Sequence, residues 1–199
     1  MPTGVALRAV RAQLFEAADR VLLRDGPSGL TSRAVTTEAG CAKGVLHRHF
    51  DDFDAFLAEF VLDRVHRMDA QTEALREAVG TGSVTGNLTD ALIALFGSVA
   101  VSIVALVTFR DELRARLRDT WPAGIPVLTD AVGMIETYLA AERERNRLAP
   151  EAAVEGLAPM LIGSAHLLFA DRTGPAPDRD AVHAMVATVL NGLSPAESG

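Results

Sequence analysis

Cysteine, aromatic residues and lysine are all scarce in this chain, and each scarcity removes a class of protein. One cysteine, Cys41, excludes an internal disulfide framework and makes a reducing compartment the default. Only 5% of residues are aromatic while 49% are hydrophobic, so the core must be mainly Ala, Val and Leu. Such a mixture packs as helices, and the alternating β-branched or aromatic runs that mark strands are scarce. No nucleophile motif, metal-ligand spacing or phosphate-cradling glycine loop is found, so neither an enzyme nor a cofactor is expected. A charged n-region, apolar h-region and cleavage site are also missing. The expected place is the cytoplasm, and the sequon at Asn87 is then fortuitous.

Charge is unevenly spread. The 199 residues carry a net charge of −7, which argues against a protein that coats nucleic acid uniformly. Residues 1–50 hold seven Lys/Arg against four Asp/Glu, a balance of +3, whereas residues 51–199 hold twelve against twenty-two, a balance of −10. A small basic head on an acidic body would confine polyanion binding to the head.

Periodicity supplies the elements. Leu7, Val10, Leu14, Ala17 and Val21 recur at spacings of three and four, marking an amphipathic helix with Arg8, Arg11 and Arg20 on its solvated side. Residues 25–29 end it. A second helix is expected over 32–39, burying Ala34 and Val35, and a third over 42–50, with Ala42, Leu46 and Phe50 on one buried stripe. Asp52 is the better cap for a fourth helix, which meets no breaker for roughly 28 residues, on the order of 40 Å. Residues 80–86 form a small-residue connector. The segment 91–109 is uncharged and reaches the length of a membrane span. Gly97, Ser98 and Ser102 within it, and flanks without aromatic anchors apart from Phe109, favour a buried central helix. Further helices are expected over 111–119, 127–147, 151–169 (entered at Pro150) and 178–193, with 142–145 as a solvated ion-pair face. The fold class is all-α, with about nine helices.

The stretch 30–54 organises the rest. Thr31 opens a helix as a hydroxyl cap, Gly40 supplies a tight turn, and the next helix turns Leu46 and Phe50 inward. Its other face carries Lys43, the only lysine in the chain, with Gly44, His47 and Arg48. A short helix with one apolar and one basic, hydrogen-bonding face fits a DNA major groove.

Thr31, Arg33, Val35, Ala39, Gly40, Lys43, Gly44, Leu46, His49, Phe50 and residues 52–57 together resemble the DNA-binding head of the TetR family of bacterial transcription regulators. The match covers residues 8–60; beyond them only helix number and order agree. The resemblance implies a helix-turn-helix DNA-binding domain over 1–51, a helical ligand-binding and dimerisation domain over 52–194, and a disordered tail over 195–199. It implies a homodimer paired through its last two long helices. It also implies repression at a palindromic operator on double-stranded DNA, released when a small apolar effector enters the body. Carried over by position, Thr31, Ser32 and Arg33 would meet phosphate and a base edge. Lys43, Gly44, Val45 and His47 would approach the major groove, and His49 a phosphate. Arg48 joins them by its charge and outward placement. Three positions depart from the family pattern: Ala42 stands for a capping Ser or Thr, His47 for a tyrosine, and Phe53 for a phosphate-binding lysine. Phe53 lies between Asp52 and Asp54, so weak phosphate anchoring is expected there. The alternative function, a helical small-molecule binding protein that has lost DNA recognition, takes its motive from these acidic neighbours.

In the body, Phe96, Ser98, Ser102, Trp121, Tyr138 and His166 are candidate effector contacts; each singly also reads as a satisfied core or loop residue. His47 and His49 are two apart and diverge on a helix, so no metal pair is expected. Cys41 reads as packing. Arg110, Arg114 and Arg118 share a face and read as a solvated stripe paired with Asp111 and Glu112 rather than as an anion site.

Overall fold

A computed structural model of the protein describes residues 4–122, 124–171 and 174–191, with side chains from Arg8 onward. The side chain of Leu7, the loop residue Ala123, the helix end at Leu193 and the tail over 195–199 lie outside them. The described residues form ten α-helices and no strand: α1 (Gly4–Gly29), α2 (Ser32–Glu38), α3 (Val45–His49), α4 (Phe53–Glu77), α5 (Val84–Phe96), α6 (Ala100–Phe109), α7 (Asp111–Leu117), α8 (Leu128–Glu144), α9 (Val154–Ala170) and α10 (Arg179–Leu190).

The count exceeds nine because the apolar stretch over 91–109 is not one helix. Its two halves, α5 and α6, are bent by 54° across a short break. Ser98 causes part of the break: its Oγ donates to the Leu95 carbonyl at 2.6 Å and accepts from the Ala100 N–H at 3.4 Å. A hydroxyl that takes over backbone partners in this way ends one helix and starts another at a new angle. Gly97 permits the tight path, since a Cβ there would stand 2.6 Å from the Ile93 carbonyl oxygen. Among the described residues no single helix is long and apolar enough to cross a membrane. At the other end of the chain, α1 carries a kink at Gly26 (φ 72°, ψ −176°) just before Pro27, where the sequence places the breaker. The ninth helix begins at Val154, not at Pro150, and the third is shorter than expected, with Ala42 exposed rather than buried.

The chain folds into two compact units, one formed by the residues up to Arg64 with Ser102–Ile125, the other by Val65–Val101 with the residues from Pro126 onward. The first unit spends most of the scarce aromatics. Phe15 lies 5.9, 5.6 and 6.0 Å from the rings of Phe50, Phe56 and Phe60, and Leu14, Val21, Val35, Leu46, Leu57 and Val61 are buried in the same unit. Such ring pairs add about 0.5–1.5 kcal/mol each beyond their buried area. Arg64, 8% exposed, is charged inside this packing; it pairs with Asp19 at 2.5 Å and Asp63 at 3.1 Å and lies over the Phe60 ring. A buried cation persists only where anions and hydrogen bonds offset its lost hydration.

In the second unit α5 packs on α9 and α10, α8 on α9, and α9 on α10. Leu88, Leu92, Ile135, Leu139, Ala158, Leu161, Val182 and Val186 form its core. Residues 142–145 are not simply a solvated face, because Glu142 is fully buried. Its carboxylate accepts from the Gly80 N–H at 3.1 Å and from Arg147 at 3.0 Å. Arg147 also donates to the carbonyls of Thr81 and Gly82. Asn87 donates to the Tyr138 hydroxyl at 2.9 Å and to the Thr81 carbonyl at 2.9 Å. One polar network thus pins the connector after α4 to the end of α8. Burial pushes the Tyr138 phenol well above its ordinary range, and its bond to Glu142 adds to the rise.

Candidate nucleic-acid interface

The reading element is held from outside itself. At the start of α2, Thr31 caps by accepting from the Ala34 N–H at 3.1 Å. Its end is met by α1: Gln13 donates to the Ala39 carbonyl at 2.8 Å, while Arg20 and Arg24 hold Glu38. Those hydrogen bonds, Arg20's first, keep the Glu38 carboxyl below the usual carboxylate range. Gly40 follows at φ +64°, a backbone that a side chain would strain, and the chain turns. The third helix runs only from Val45 to His49, so Lys43 and its cap Gly44 stand in the turn ahead of it rather than within it. Leu46 is buried beneath, as is Phe50 just past its end. Arg11, read from sequence as a solvated residue of α1, instead donates to the His49 carbonyl at 3.0 Å and pairs with Glu59.

Thr31, Arg33, Lys43, Gly44, His47 and Arg48 are exposed, while Ser32, Val45 and His49 are half-buried. Arg33, Lys43, His47 and Arg48 have no side-chain hydrogen-bond or ion-pair partner. Most other arginines with described side chains are engaged; Arg118 and Arg145 share this condition. Unengaged hydrogen-bond donors, three of them on Arg or Lys side chains, are what a phosphate backbone and guanine edges take up on a helix-turn-helix surface.

The start of α4 has the cap expected of it and ion pairs that were not expected. Asp52 caps it, accepting from the Ala55 N–H at 2.7 Å. The same carboxylate pairs with Arg116 at 2.5 Å, and Asp54 takes two bonds from Arg110, at 2.7 and 3.1 Å. Phe53 stacks on Phe56 at 5.6 Å with the Arg110 guanidinium 5.7 Å from its ring. Arg110 therefore serves α4 rather than Asp111 and Glu112, and Arg114 turns to the Thr108 carbonyl. Nothing local in the sequence marks these pairings, since their partners are 56 and 64 residues away.

The six effector candidates divide between the units: Ser102 and Trp121 fall in the first, Phe96, Ser98, Tyr138 and His166 in the second. There Phe96 lies 6.0 Å from His166 and 5.9 Å from Phe169, a residue the sequence reading passed over. The His166 Nδ1 is buried without a hydrogen-bond partner, and burial pushes its imidazole below the ordinary range. Ser98 and Tyr138 spend their hydroxyls on the bend and on the Glu142 network.

A basic helix-turn-helix head in an otherwise helical chain defines a class, that of DNA-binding regulators. Comparison with known proteins makes it specific. Residues 14–60 match the model of the bacterial regulatory proteins of the tetR family. No curated protein matches the chain. Among solved structures, a TetR-family transcriptional regulator from Agrobacterium tumefaciens superposes with a TM-score of 0.73 at 11% identity, over 94% of this chain and 99% of that one. The Escherichia coli NemR reduced form gives 0.67 at 16% identity, over 94% and 99%. The Bacillus subtilis transcriptional regulator FadR, in complex with stearoyl-CoA, gives 0.66 at 14% identity, over 92% and 98%. The head thus matches the TetR-family model, and the chain has the fold of solved TetR-family transcriptional regulators.

Proposed function

We propose that the protein is a dimeric, ligand-responsive DNA-binding repressor acting in the cytoplasm. The observation that carries this reading is the exposed, unengaged set Arg33, Lys43, His47 and Arg48 around a glycine turn. Thr31, Ser32, Gly44, Val45 and His49 complete the contact surface. By role, residues 1–51 read DNA, and residues 52–194 dimerise and bind effector. Two copies would join through α9 and α10, where Met160 and Leu167 lie exposed, and place their α3 helices in successive major grooves about 34 Å apart on a palindromic operator. The effector is small and apolar. The aromatic group of Phe96, His166 and Phe169 supports an apolar ligand, as does the likeness to a regulator that holds stearoyl-CoA. Effector binding would shift the population away from the DNA-competent state.

Selection from a random DNA pool should yield a palindrome, bound by the protein with steep salt dependence. Joint substitution Arg33→Ala and Lys43→Ala should lower affinity by roughly 100-fold and flatten the salt slope by about 2 if both meet phosphate. Unchanged affinity in that variant would remove these contacts from the reading.

A further inference from the structure

Three carboxylates, Asp51, Asp52 and Asp54, follow the reading helix within five residues of His49. Left bare, they would repel a phosphate backbone docked on α3. Two of them are met by cations from a distant part of the chain: Arg116 of α7 on Asp52, and Arg110, the residue before α7, on Asp54. Both arginines remain partly exposed, 43% and 34% in their side chains, and all four residues belong to the first unit. Asp52 needs no arginine for its structural work, since it already caps α4 through the Ala55 N–H.

We propose that the segment around α7 is a working part of the DNA-binding surface. By neutralising Asp52 and Asp54, Arg110 and Arg116 make the start of α4 approachable by a polyanion. This rests on the DNA-binding reading above and adds a second, sequence-distant pair of residues to it. Their effect is electrostatic. It depends on the charge they cancel rather than on the fastening they provide.

The two roles separate by charge rescue. Arg110→Gln with Arg116→Gln should weaken binding to the DNA selected by the wild-type protein, on the order of tenfold at low ionic strength and less as salt screens the exposed acids. Adding Asp52→Asn and Asp54→Asn to that background should restore affinity to within about twofold, because asparagine still caps the helix and the two acids that the arginines neutralise are gone, leaving Asp51 as it stands in the wild type. Asp52→Asn with Asp54→Asn alone should bind at least as tightly as wild type. A mere fastening predicts the reverse: the quadruple variant stays weak, and the double asparagine variant is weakened too. Either result overturns the proposal even if the glutamine variant fails to fold. If the wild-type protein selects no DNA, the functional reading falls and this inference with it. Selection by wild type with no loss in the glutamine variant sinks this inference alone.

Discussion

Arg11 of α1 donates to the backbone carbonyl of His49, the last residue of α3, across 38 positions of sequence. Its guanidinium lies 4.3 Å from the centre of the Phe50 ring and pairs with Glu59 of α4. A helix of five residues has no stability of its own, so the orientation of α3 is borrowed from such contacts. Arg11→Ala should cost about 1 kcal/mol of stability. It should also lower DNA affinity more than that stability loss accounts for, with Arg11→Lys intermediate. Thermal denaturation beside gel-shift titration checks this. A folded Arg11→Ala protein with wild-type affinity would count against it.

Glu142→Gln removes the charge that Arg147 faces in the buried network while preserving shape. Loss of one partner of a buried pair costs about 3 kcal/mol. Urea unfolding should show a lower midpoint at unchanged slope; equal midpoints would mean that water already serves Arg147.

Alkaline conditions should loosen the same network. The Tyr138 phenol is raised in the folded state, chiefly by burial, so the fold favours its protonated form. Its contribution to stability is therefore complete below the ordinary tyrosine value of about 10 and is lost as pH rises above it. Tyr138→Phe should flatten the dependence between pH 9 and pH 11 while costing about 1 kcal/mol at neutral pH for the Asn87 hydrogen bond. Paired urea titrations at the two pH values decide it.

At the bend between α5 and α6, Gly97→Ala would bring a methyl group against the Ile93 carbonyl. A loss of about 1–2 kcal/mol is expected. Melting temperature reads it directly, and Gly133→Ala, where a Cβ meets nothing within 4 Å, is the control that should not fall.

Leu167 is 76% exposed and Met160 57% on α9. If this face joins two copies, Leu167→Asp should give a monomer in sedimentation equilibrium and lose operator binding. Its melting curve should become independent of protein concentration. A dimer that survives the substitution would move the interface elsewhere.

Local signals were legible in the sequence and distant ones were not. Thr31 as a cap, Gly40 as a turn, and Leu46 and Phe50 as inward residues each depend on neighbours within a few positions, and the structure has them so. The third helix is shorter than the helix preference of Ala42 suggests, because the chain there is still turning toward Gly44. The break at Gly97 is not legible because the apolar composition over 91–109 outweighs one Ser98 hydroxyl. Glu142, Arg11, Arg110 and Arg116 carry charges that read as solvated wherever periodicity alone is considered. Only the three-dimensional packing reveals that their partners lie elsewhere in the chain.

The first compact unit is assembled from two stretches of sequence, with 102–125 returning to join the residues up to 64. Modularity therefore does not follow the order of the chain. A chimera that grafted only the first 64 residues onto another body would transplant the reading helix and its adjacent acids without Arg110 and Arg116. Specificity could travel with such a graft while affinity stayed behind, and a donor piece for swapping operators has to carry both stretches.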